Sequence, residues 1–410
     1  MIDSQRILDR CDQLARCSEA PDHLTRVYLS PQMRDANTLV LDWMREAGMS
    51  ARVDAIGNVC GRYEGAEPEA GAVLLGSHLD TVRDAGKYDG MLGVVSALEC
   101  VASLAVQQKR LHHAIEIVGF ADEEGVRFGS TLIGSRAVAG TFKPETLNAT
   151  DAGGTALRDA MHAYGLNPLR VTDAARLRDD VLAYMELHIE QGPVLEALNL
   201  PVGVVTAISG ATRFQIEING VAGHAGTVPM TLRHDALAAA AECVLAIEKR
   251  CSAEADLVGT VGKLETLPGA INVIPGKVRF TLDMRAPDDA QRRRATGDVT
   301  VALQAICQQR GVTLNMTTLH ENDNAACAPW LMQQLDAAVA NAGHTVHRLP
   351  SGAGHDGMAM QALCAIGMLF VRCKGGISHN PAESVTCADV QAGADVLLRF
   401  IENFKPESQL

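Results

Sequence analysis

The chain has 410 residues, which exceeds the usual size of a single domain and predicts two. It is 47% hydrophobic and 21% charged, as ordinary soluble globular proteins are, and its net charge of -13 argues against nucleic acid or an anionic membrane surface as a partner. No apolar stretch approaches ~20 residues and the N-terminus is polar, so neither a membrane span nor a signal peptide is expected.

The cysteine pattern indicates a reducing compartment. Eleven cysteines are scattered singly along the chain, without a C-x-x-C pair. In a chain of this size, this predicts reduced, mostly buried thiols and a cytoplasmic location. Cys60, Cys100, Cys243 and Cys364 lie beside apolar residues and are expected to fill the core.

The first half of the chain alternates between strand and helix patterns. Residues 1–50 have a helical pattern, and the strand segments VLLGSH, AIEIVGFADEE and LAYMELHIEQG follow between about 52 and 210, with the helix GVVSALECVASLAV after the first. Such alternation predicts an α/β fold with a mostly parallel sheet flanked by helices. The long stretch 141–180 gives no functional signal.

Around residue 211 the pattern changes. TRFQIEINGVAGHAG alternates apolar and polar residues around an Asn-Gly turn, as an antiparallel strand with one exposed face does. The order strand, helix, strand, strand, helix, strand then predicts a small two-layer α/β domain. After about 328 the first pattern resumes. We therefore predict a first domain of residues 1–211 and 328–410, interrupted by an inserted domain at 212–327.

Several imidazoles and carboxylates lie just past the C-terminal ends of predicted strands. The carboxyl ends of parallel strands meet at one edge of a sheet, so residues that are far apart in sequence can converge there. The candidates are His78, Asp89, Glu123, Glu124, His188, Glu190 and His379. The other histidines, apart from His224 and His355, are expected at the surface, namely His23, His112, His113, His162, His234, His320, His344 and His347.

These side chains are typical of a metal site. Imidazole and carboxylate ligands without a thiolate suit Zn²⁺, with Mn²⁺, Co²⁺ or Ni²⁺ as substitutes, and their number indicates two ions that share a bridging carboxylate. One of the adjacent Glu123 and Glu124 can bind metal while the other acts as a general base. Asp80 is expected to fix the tautomer of His78. Each of these residues taken alone has a non-functional interpretation, such as a solvated helix start for the two glutamates. The prediction therefore rests on the occurrence of all of them together.

The segments GSHLDTV, YDGMLG, ADEEG, ELHIEQG, AGHAGTVPM, GAGHD and GISHNPAE, in this order, closely resemble the hydantoinase/carbamoylase family of amidases. That family is a branch of the dizinc exopeptidase and aminoacylase superfamily, and the resemblance runs from about residue 20 to 405. It implies a dinuclear catalytic domain and an inserted lid that also joins two copies in a homodimer. The implied reaction is hydrolysis of a ureido C–N bond by water held between two metal ions, with release of ammonia, and of CO₂ from carbamoyl acids.

The resemblance also implies roles for the candidate ligands. It makes His78, Asp89 and His188 the ligands of one metal, and Asp89, Glu124 and His379 those of the other, with Asp89 as the bridge. Glu123 matches the general base. Many peptidases of the superfamily have an acidic ligand where this chain has His188. That difference favours a carbamoyl or ureido amidase over the alternative, an aminoacylase or peptidase.

A substrate pocket follows from the same resemblance. Arg285 matches the residue that binds the substrate carboxylate, and His224 matches a histidine that reaches the partner subunit's site and stabilises the oxyanion. The other matched pocket residues are Gln191, Arg213, Asn272, Gly354 and His355. From the residues alone, Arg285 could make a surface ion pair and Arg213 could be structural. Lid and metal groups must meet, so we expect hinges near 210–212 and 326–330. N-carbamoyl-L-amino acids, allantoate and N-carbamoyl-β-alanine are not distinguished.

Overall fold

The computed structural model describes residues 2–409. Its strands are β1 (Ser50–Val53), β2 (Val59–Tyr63), β3 (Ala72–His78), β4 (Ala114–Phe120), β5 (Val181–Ile189), β6 (Val202–Ile208), β7 (Gly210–Asn219), β8 (Gly223–His224), β9 (Val258–Thr260), β10 (Leu264–Leu267), β11 (Val273–Ile274), β12 (Lys277–Ala286), β13 (Thr313–Asn322), β14 (Ala325–Ala326), β15 (Arg348–Ser351) and β16 (Ile366–Val371). Its helices are α1 (Ser4–Ala15), α2 (Pro31–Glu46), α3 (Met91–Val106), α4 (Ile133–Val138), α5 (Leu157–Tyr164), α6 (Val194–Ala197), α7 (Ala236–Cys251), α8 (Asp289–Gln309), α9 (Pro329–Asn341), α10 (Gly357–Met360) and α11 (Cys387–Asn403).

The chain divides into two compact units. The first consists of the residues up to Thr206, Cys327–Leu349 and the residues from Ala353 onward, and the second of Ala207–Ala326 and Pro350–Gly352. The sequence places the insertion at 212–327, whereas the division falls within β6. An unbroken strand pattern gives no sign of such a boundary. The short return at 350–352 begins within β15, which pairs with β6.

The sheet of the first unit has the order β1-β2-β4-β3-β5-β16-β6. Its four central strands, β4, β3, β5 and β16, are parallel, whereas β1, β2 and β6 pair with their neighbours antiparallel. The predicted α/β class with a helix-flanked sheet is therefore confirmed, and the sheet is mixed. β3, β4 and β16 are buried throughout, as central parallel strands are, while β2 alternates between buried and partly buried residues.

Helix α3 anchors the loop that ends at Asp89. It is apolar on nearly every side because it packs against β3 and β5 and also against α1 and α11. It begins after Gly90, whose φ of 71° suits glycine, and a Cβ at that position would lie 2.6 Å from the His78 ring. The loop that ends at Asp89 is thus held against a buried helix and a strand end.

The second unit is a two-layer α/β structure. Its antiparallel sheet has the order β10-β12-β7-β13, with β9 beside β12, and α7 and α8 cover one face. Alternate residues such as Ile216 and Phe280 form the core under these helices. The intervening residues, among them Arg213 and Arg285, lie on the opposite face. β8 and β11 form a separate two-stranded ribbon.

Some buried positions differ from the sequence-based expectations. Eight of the eleven cysteines are buried, but Cys60 is only partly so. The surface prediction for His113 is wrong: it is 8% exposed, and its ring packs edge-on against Phe404 at 5.2 Å between centroids. His113 precedes β4 directly, where the chain that follows α11 covers it. No helix in the described part of the chain is long and apolar enough to cross a membrane.

Candidate dinuclear metal centre

Neighbouring strands of the first unit deliver the candidate ligands to one edge of the sheet. His78 is the last residue of β3, and His188 lies near the end of the adjacent parallel strand β5. Glu123 and Glu124 follow β4, and His379 lies in the loop after β16. Because these four strands are parallel neighbours, their carboxyl ends lie side by side, and residues 300 positions apart converge.

Asp89 lies at the centre of the group. Its Oδ1 is 3.6 Å from His78 Nε2 and 3.1 Å from His188 Nε2, while its Oδ2 is 3.2 Å from His379 Nε2. Glu124 Oε1 lies 3.5 Å from the same nitrogen of His379. The structure therefore brings together two triads, His78-Asp89-His188 and Asp89-Glu124-His379, in each of which the ligand atoms lie within 4.8 Å of one another.

The imidazoles are oriented as metal ligands are. His78 Nδ1 lies 3.0 Å from the Asp80 carbonyl oxygen, and His188 Nδ1 lies 2.9 Å from that of Ile189. A carbonyl can only accept, so each Nδ1 carries a proton, and in the neutral ring each Nε2 presents a lone pair towards Asp89. His188 Nε2 is buried and makes no hydrogen bond within residues 2–409. These residues fit divalent cations between the nitrogens and the carboxylates.

The charges of the site also favour cations. Burial raises the pKa of Glu123 well above its usual range, and the charge of Glu124 raises it further. Burial likewise raises the pKa of Glu124 to about 7. Burial also opposes ionisation of Asp89, but its interactions with the imidazoles of His188, His379 and His78 outweigh that effect and hold the pKa of Asp89 well below its usual range. The centre thus concentrates buried carboxylates that a bound cation would stabilise.

Asp80 supports both a ligand and the predicted base. Its contact with His78 runs through the backbone carbonyl, since the carboxylate oxygen is 3.6 Å from the ring nitrogen. The carboxylate instead accepts hydrogen bonds from the backbone N–H groups of Glu123, at 3.0 Å, and Glu124, at 3.2 Å. The fully buried Arg26 holds the same segment by donating to the Leu79 carbonyl at 2.8 Å. Asp80 therefore sets the backbone position of the two glutamates.

Three predicted pocket residues lie close to this centre. Gln191 donates to Asp89 Oδ2 at 2.9 Å, and a Cβ at Gly354 would lie 3.7 Å from Glu123 Oε1. His355 is 1% exposed, and its ring packs edge-on against that of His188 at 4.5 Å between centroids. His355 therefore packs directly against a candidate metal ligand.

Arg285 and Arg213 share a carboxylate in the second unit. Asp283 accepts from Arg285 Nε at 3.0 Å, Arg285 Nη2 at 2.9 Å and Arg213 Nε at 2.9 Å, while Arg285 Nη1 donates to the Gly352 carbonyl at 2.7 Å. A guanidinium has five N–H groups, so two of those on Arg285 remain for a ligand. The three side chains line a cavity of about 570 Å³, a size that suits a small molecule.

His224 and Asn272 lie at the other end of the second unit. His224 pairs with Val273 in the β8–β11 ribbon, and the Asn272 carbonyl accepts from Ala225 at 2.9 Å. The ribbon leaves the sheet beyond Asn219, whereas Arg213 lies near the start of the same strand. At ~3.4 Å per residue, positions 213 and 219 are about 20 Å apart. These two pairs of predicted pocket residues are therefore not brought together within one chain.

Sequence reasoning missed several residues that shape these sites. Glu383 accepts from the backbone N–H groups of Tyr88 and Asp89, and its place at the end of GISHNPAE was an available signal. Asp283 precedes Arg285 by two residues, which puts both on one face of a strand and could have been noticed. Arg26 stands in no motif, so its role follows only from tertiary packing.

Comparison with known proteins identifies the family. The model of "Peptidase family M20/M25/M40" matches residues 74–403. An N-carbamoyl-L-amino acid amidohydrolase of Geobacillus stearothermophilus is 44% identical over 402 residues, 98% of either chain, and an allantoate deiminase of Arabidopsis thaliana is 41% identical over 96% of this chain and 81% of its own. A crystal structure of a hydantoinase/carbamoylase family amidase from Burkholderia multivorans superposes with a TM-score of 0.92 at 32% identity, over 98% of this chain and 97% of that one. The chain belongs to peptidase family M20/M25/M40 and, within it, to the hydantoinase/carbamoylase amidases.

Proposed function

We propose that the protein is a metal-dependent amidohydrolase that cleaves the ureido C–N bond of an N-carbamoyl-L-amino acid or an allantoate-like acid and releases ammonia. The observation that carries the proposal is the sharing of Asp89 by two ligand triads with Glu123 beside them. The names of the relatives, an N-carbamoyl-L-amino acid amidohydrolase and allantoate deiminases, indicate the substrate class.

The ligand roles follow from the two triads. His78, Asp89 and His188 would hold one divalent ion, and Asp89, Glu124 and His379 the other. Zinc suits these ligands, with manganese, cobalt or nickel as substitutes. When bound, two such ions supply polarisation of the ureido carbonyl and an acidic water.

Glu123 is the proposed general base. It lies next to His78 and Glu124 but belongs to neither of the triads that contain Asp89, and its backbone N–H is held by the Asp80 carboxylate at 3.0 Å. Burial raises its pKa, so its carboxylate accepts a proton more readily than an exposed glutamate does. It takes a proton from the attacking water and passes it to the departing nitrogen.

Arg285 is the proposed partner of the substrate carboxylate. Its side-on edge, formed by Nε and Nη2, is occupied by Asp283, which fixes the plane of the guanidinium. A ureido acid carries one carboxylate, and the remaining N–H groups of Arg285 can bind it. Arg213 shares Asp283 and adds a second positive charge to the same cavity.

His224 is proposed to act on the site of a partner copy. Its Nδ1 accepts from the Gly226 N–H at 3.1 Å, so a neutral ring carries its proton on Nε2 and can donate to a developing oxyanion. The separation of His224 from Arg285 along β7 and β12 supports a contribution from the second subunit. A homodimer joined through the second unit and a cytoplasmic location remain predictions.

A substrate panel tests this function. The zinc- or manganese-loaded protein is incubated with N-carbamoyl-L-methionine, allantoate and N-carbamoyl-β-alanine, and ammonia is measured. At least one of these compounds should release ammonia at a rate proportional to the enzyme concentration. Because the matching family is named for peptidases, N-acetyl-L-methionine and dipeptides are tested as alternative substrates. Amine release from those compounds, without ammonia from any ureido acid, would reject the amidohydrolase in favour of an aminoacylase or peptidase.

A further inference from the structure

Glu383 connects two loops of the first unit. It is 4% exposed, and its Oε1 accepts hydrogen bonds from the backbone N–H groups of Tyr88, at 2.8 Å, and Asp89, at 3.1 Å. Its Oε2 lies 3.0 Å from Ser378 Oγ. One carboxylate therefore ties the loop of the central Asp89 to the residue that precedes His379.

The hydroxyl of Ser378 extends this connection to the ligand itself. Ser378 Oγ lies 3.0 Å from Asp89 Oδ2 and accepts from Gln191 Nε2 at 3.0 Å. A hydroxyl has one proton, so it can donate to only one of the carboxylates of Asp89 and Glu383 at a time. The network also depends on close packing, because a Cβ at Gly86 would lie 2.2 Å from the Glu383 carboxyl carbon.

The two ligand triads differ in how their imidazoles are held. His78 and His188 are at most 2% exposed, lie at the ends of neighbouring strands, and have their Nδ1 atoms fixed by backbone carbonyls. His379 lies in a loop with its side chain 50% exposed, and its φ is 53°. A non-glycine residue keeps such a backbone conformation only where its surroundings enforce it. The loop around Ser378 is therefore the part of the centre that most needs an external support.

We propose that Glu383 is a positioning residue that sets the affinity of the metal position formed by Asp89, Glu124 and His379. Glu383 binds no ion itself. It fixes the spacing between Asp89 and the His379 loop, which supply two of the three ligands of that position. This inference rests on the dinuclear centre proposed above and deepens it. Groups that orient metal ligands typically change metal affinity by about 10–100-fold when removed.

The test measures zinc binding by the full-length chain. Metal-free protein is titrated with Zn²⁺ against a chromophoric chelator, which gives the number of ions bound and both dissociation constants. E383A should keep one tight ion and bind the second about 10–100-fold more weakly, and H379A is the reference for loss of that position. E383Q should stay within about three-fold of wild type, because its amide oxygen accepts from both backbone N–H groups and its NH₂ donates to Ser378.

A matched control separates positioning from stability. Glu99 is also fully buried, but its partners are the Asp3 N–H and the Arg6 guanidinium. E99A should lower the melting temperature and leave both zinc affinities within about two-fold of wild type. If E383A is too unstable to titrate, S378A removes only the shared hydroxyl and should weaken the second ion by about 3–10-fold.

The outcomes distinguish this inference from the proposed function. Fewer than two zinc ions bound to the wild-type chain would reject the dinuclear centre itself. Two ions in wild type with both affinities unchanged in E383A and S378A would overturn the role of Glu383 alone. The role of Glu383 would also be overturned if E383A weakened the binding of both ions equally. The same holds if E383Q weakened binding of the second ion as much as E383A does.

Discussion

The buried His113 makes a quantitative prediction about stability and pH. Burial lowers the pKa of His113 from the ordinary value of 6.5 to about 4, with a smaller contribution from His112. Its Nε2 has no hydrogen-bond partner among the described residues, so protonation within the fold places an unpaired charge beside Phe404. In the unfolded chain the same ring takes up a proton near pH 6.5. As the pH falls from 6.5 towards 4, the unfolded state is favoured, and the free energy of unfolding decreases.

The size of this effect follows from the difference between the two pKa values. At about 1.36 kcal/mol per pKa unit, the lowering from 6.5 to about 4 amounts to about 3 kcal/mol. His113→Phe removes the titrating group and keeps an aromatic ring against Phe404. Between pH 7.5 and 4.5, wild type should therefore lose about 2–3 kcal/mol more than H113F does.

Urea unfolding of the metal-free protein measures this difference. Tryptophan fluorescence reports on the first unit, since Trp43 and Trp330 both lie there. Metal-free chains are used because low pH releases bound ions. H112Q removes the neighbouring exposed imidazole, which makes only the smaller contribution to the lowered pKa of His113, and should keep most of the wild-type pH dependence. If wild type and H113F lose stability in parallel over this range, the assigned burial and protonation of His113 are wrong.

Four further predictions concern the site. E123Q should bind both ions as wild type does and lower kcat by about 10²–10⁴-fold, and unchanged turnover would reject Glu123 as the base. R285A should lower kcat/KM for carbamoyl acids by about 10–100-fold at unchanged metal content, and R285K should not restore it, because lysine lacks the planar fork. A mixture of H224A and R285A chains should recover up to about a quarter of wild-type activity if subunits share sites, whereas mixtures as inactive as each variant contradict sharing. A substrate analogue should reduce the radius of gyration, and identical scattering curves count against the expected hinges.

The candidate metal ligands were predictable because their signal is local and repeated. Each of His78, Glu124, His188 and His379 follows an apolar run, and the edge at which parallel strands end is a general property of α/β sheets. The pattern could not give the strand order or the antiparallel edges, because these depend on which strands pair. The exact atom of Asp80 that contacts His78 was also beyond it, since a backbone carbonyl leaves no trace in the sequence.

Residues that act through tertiary contacts were harder to predict. Arg26 and Glu383 act on loops more than fifty residues away along the chain, and no spacing rule connects them. His113 precedes a strand, where a polar residue is usually exposed, and only the C-terminal segment that covers it reverses that expectation. Asp283 shows the opposite case, because its spacing from Arg285 already placed both on one face of β12.

Metal titration of ammonia release tests the central claim most directly. Metal-free protein is given zero, one and two equivalents of Zn²⁺ or Mn²⁺, and ammonia from N-carbamoyl-L-methionine and allantoate is measured at each step. The two triads around Asp89 predict no release without metal and a rate from at least one substrate that rises to a plateau at two equivalents. A rate of ammonia release that is independent of added metal, or that already reaches its plateau at one equivalent, would contradict the dinuclear mechanism.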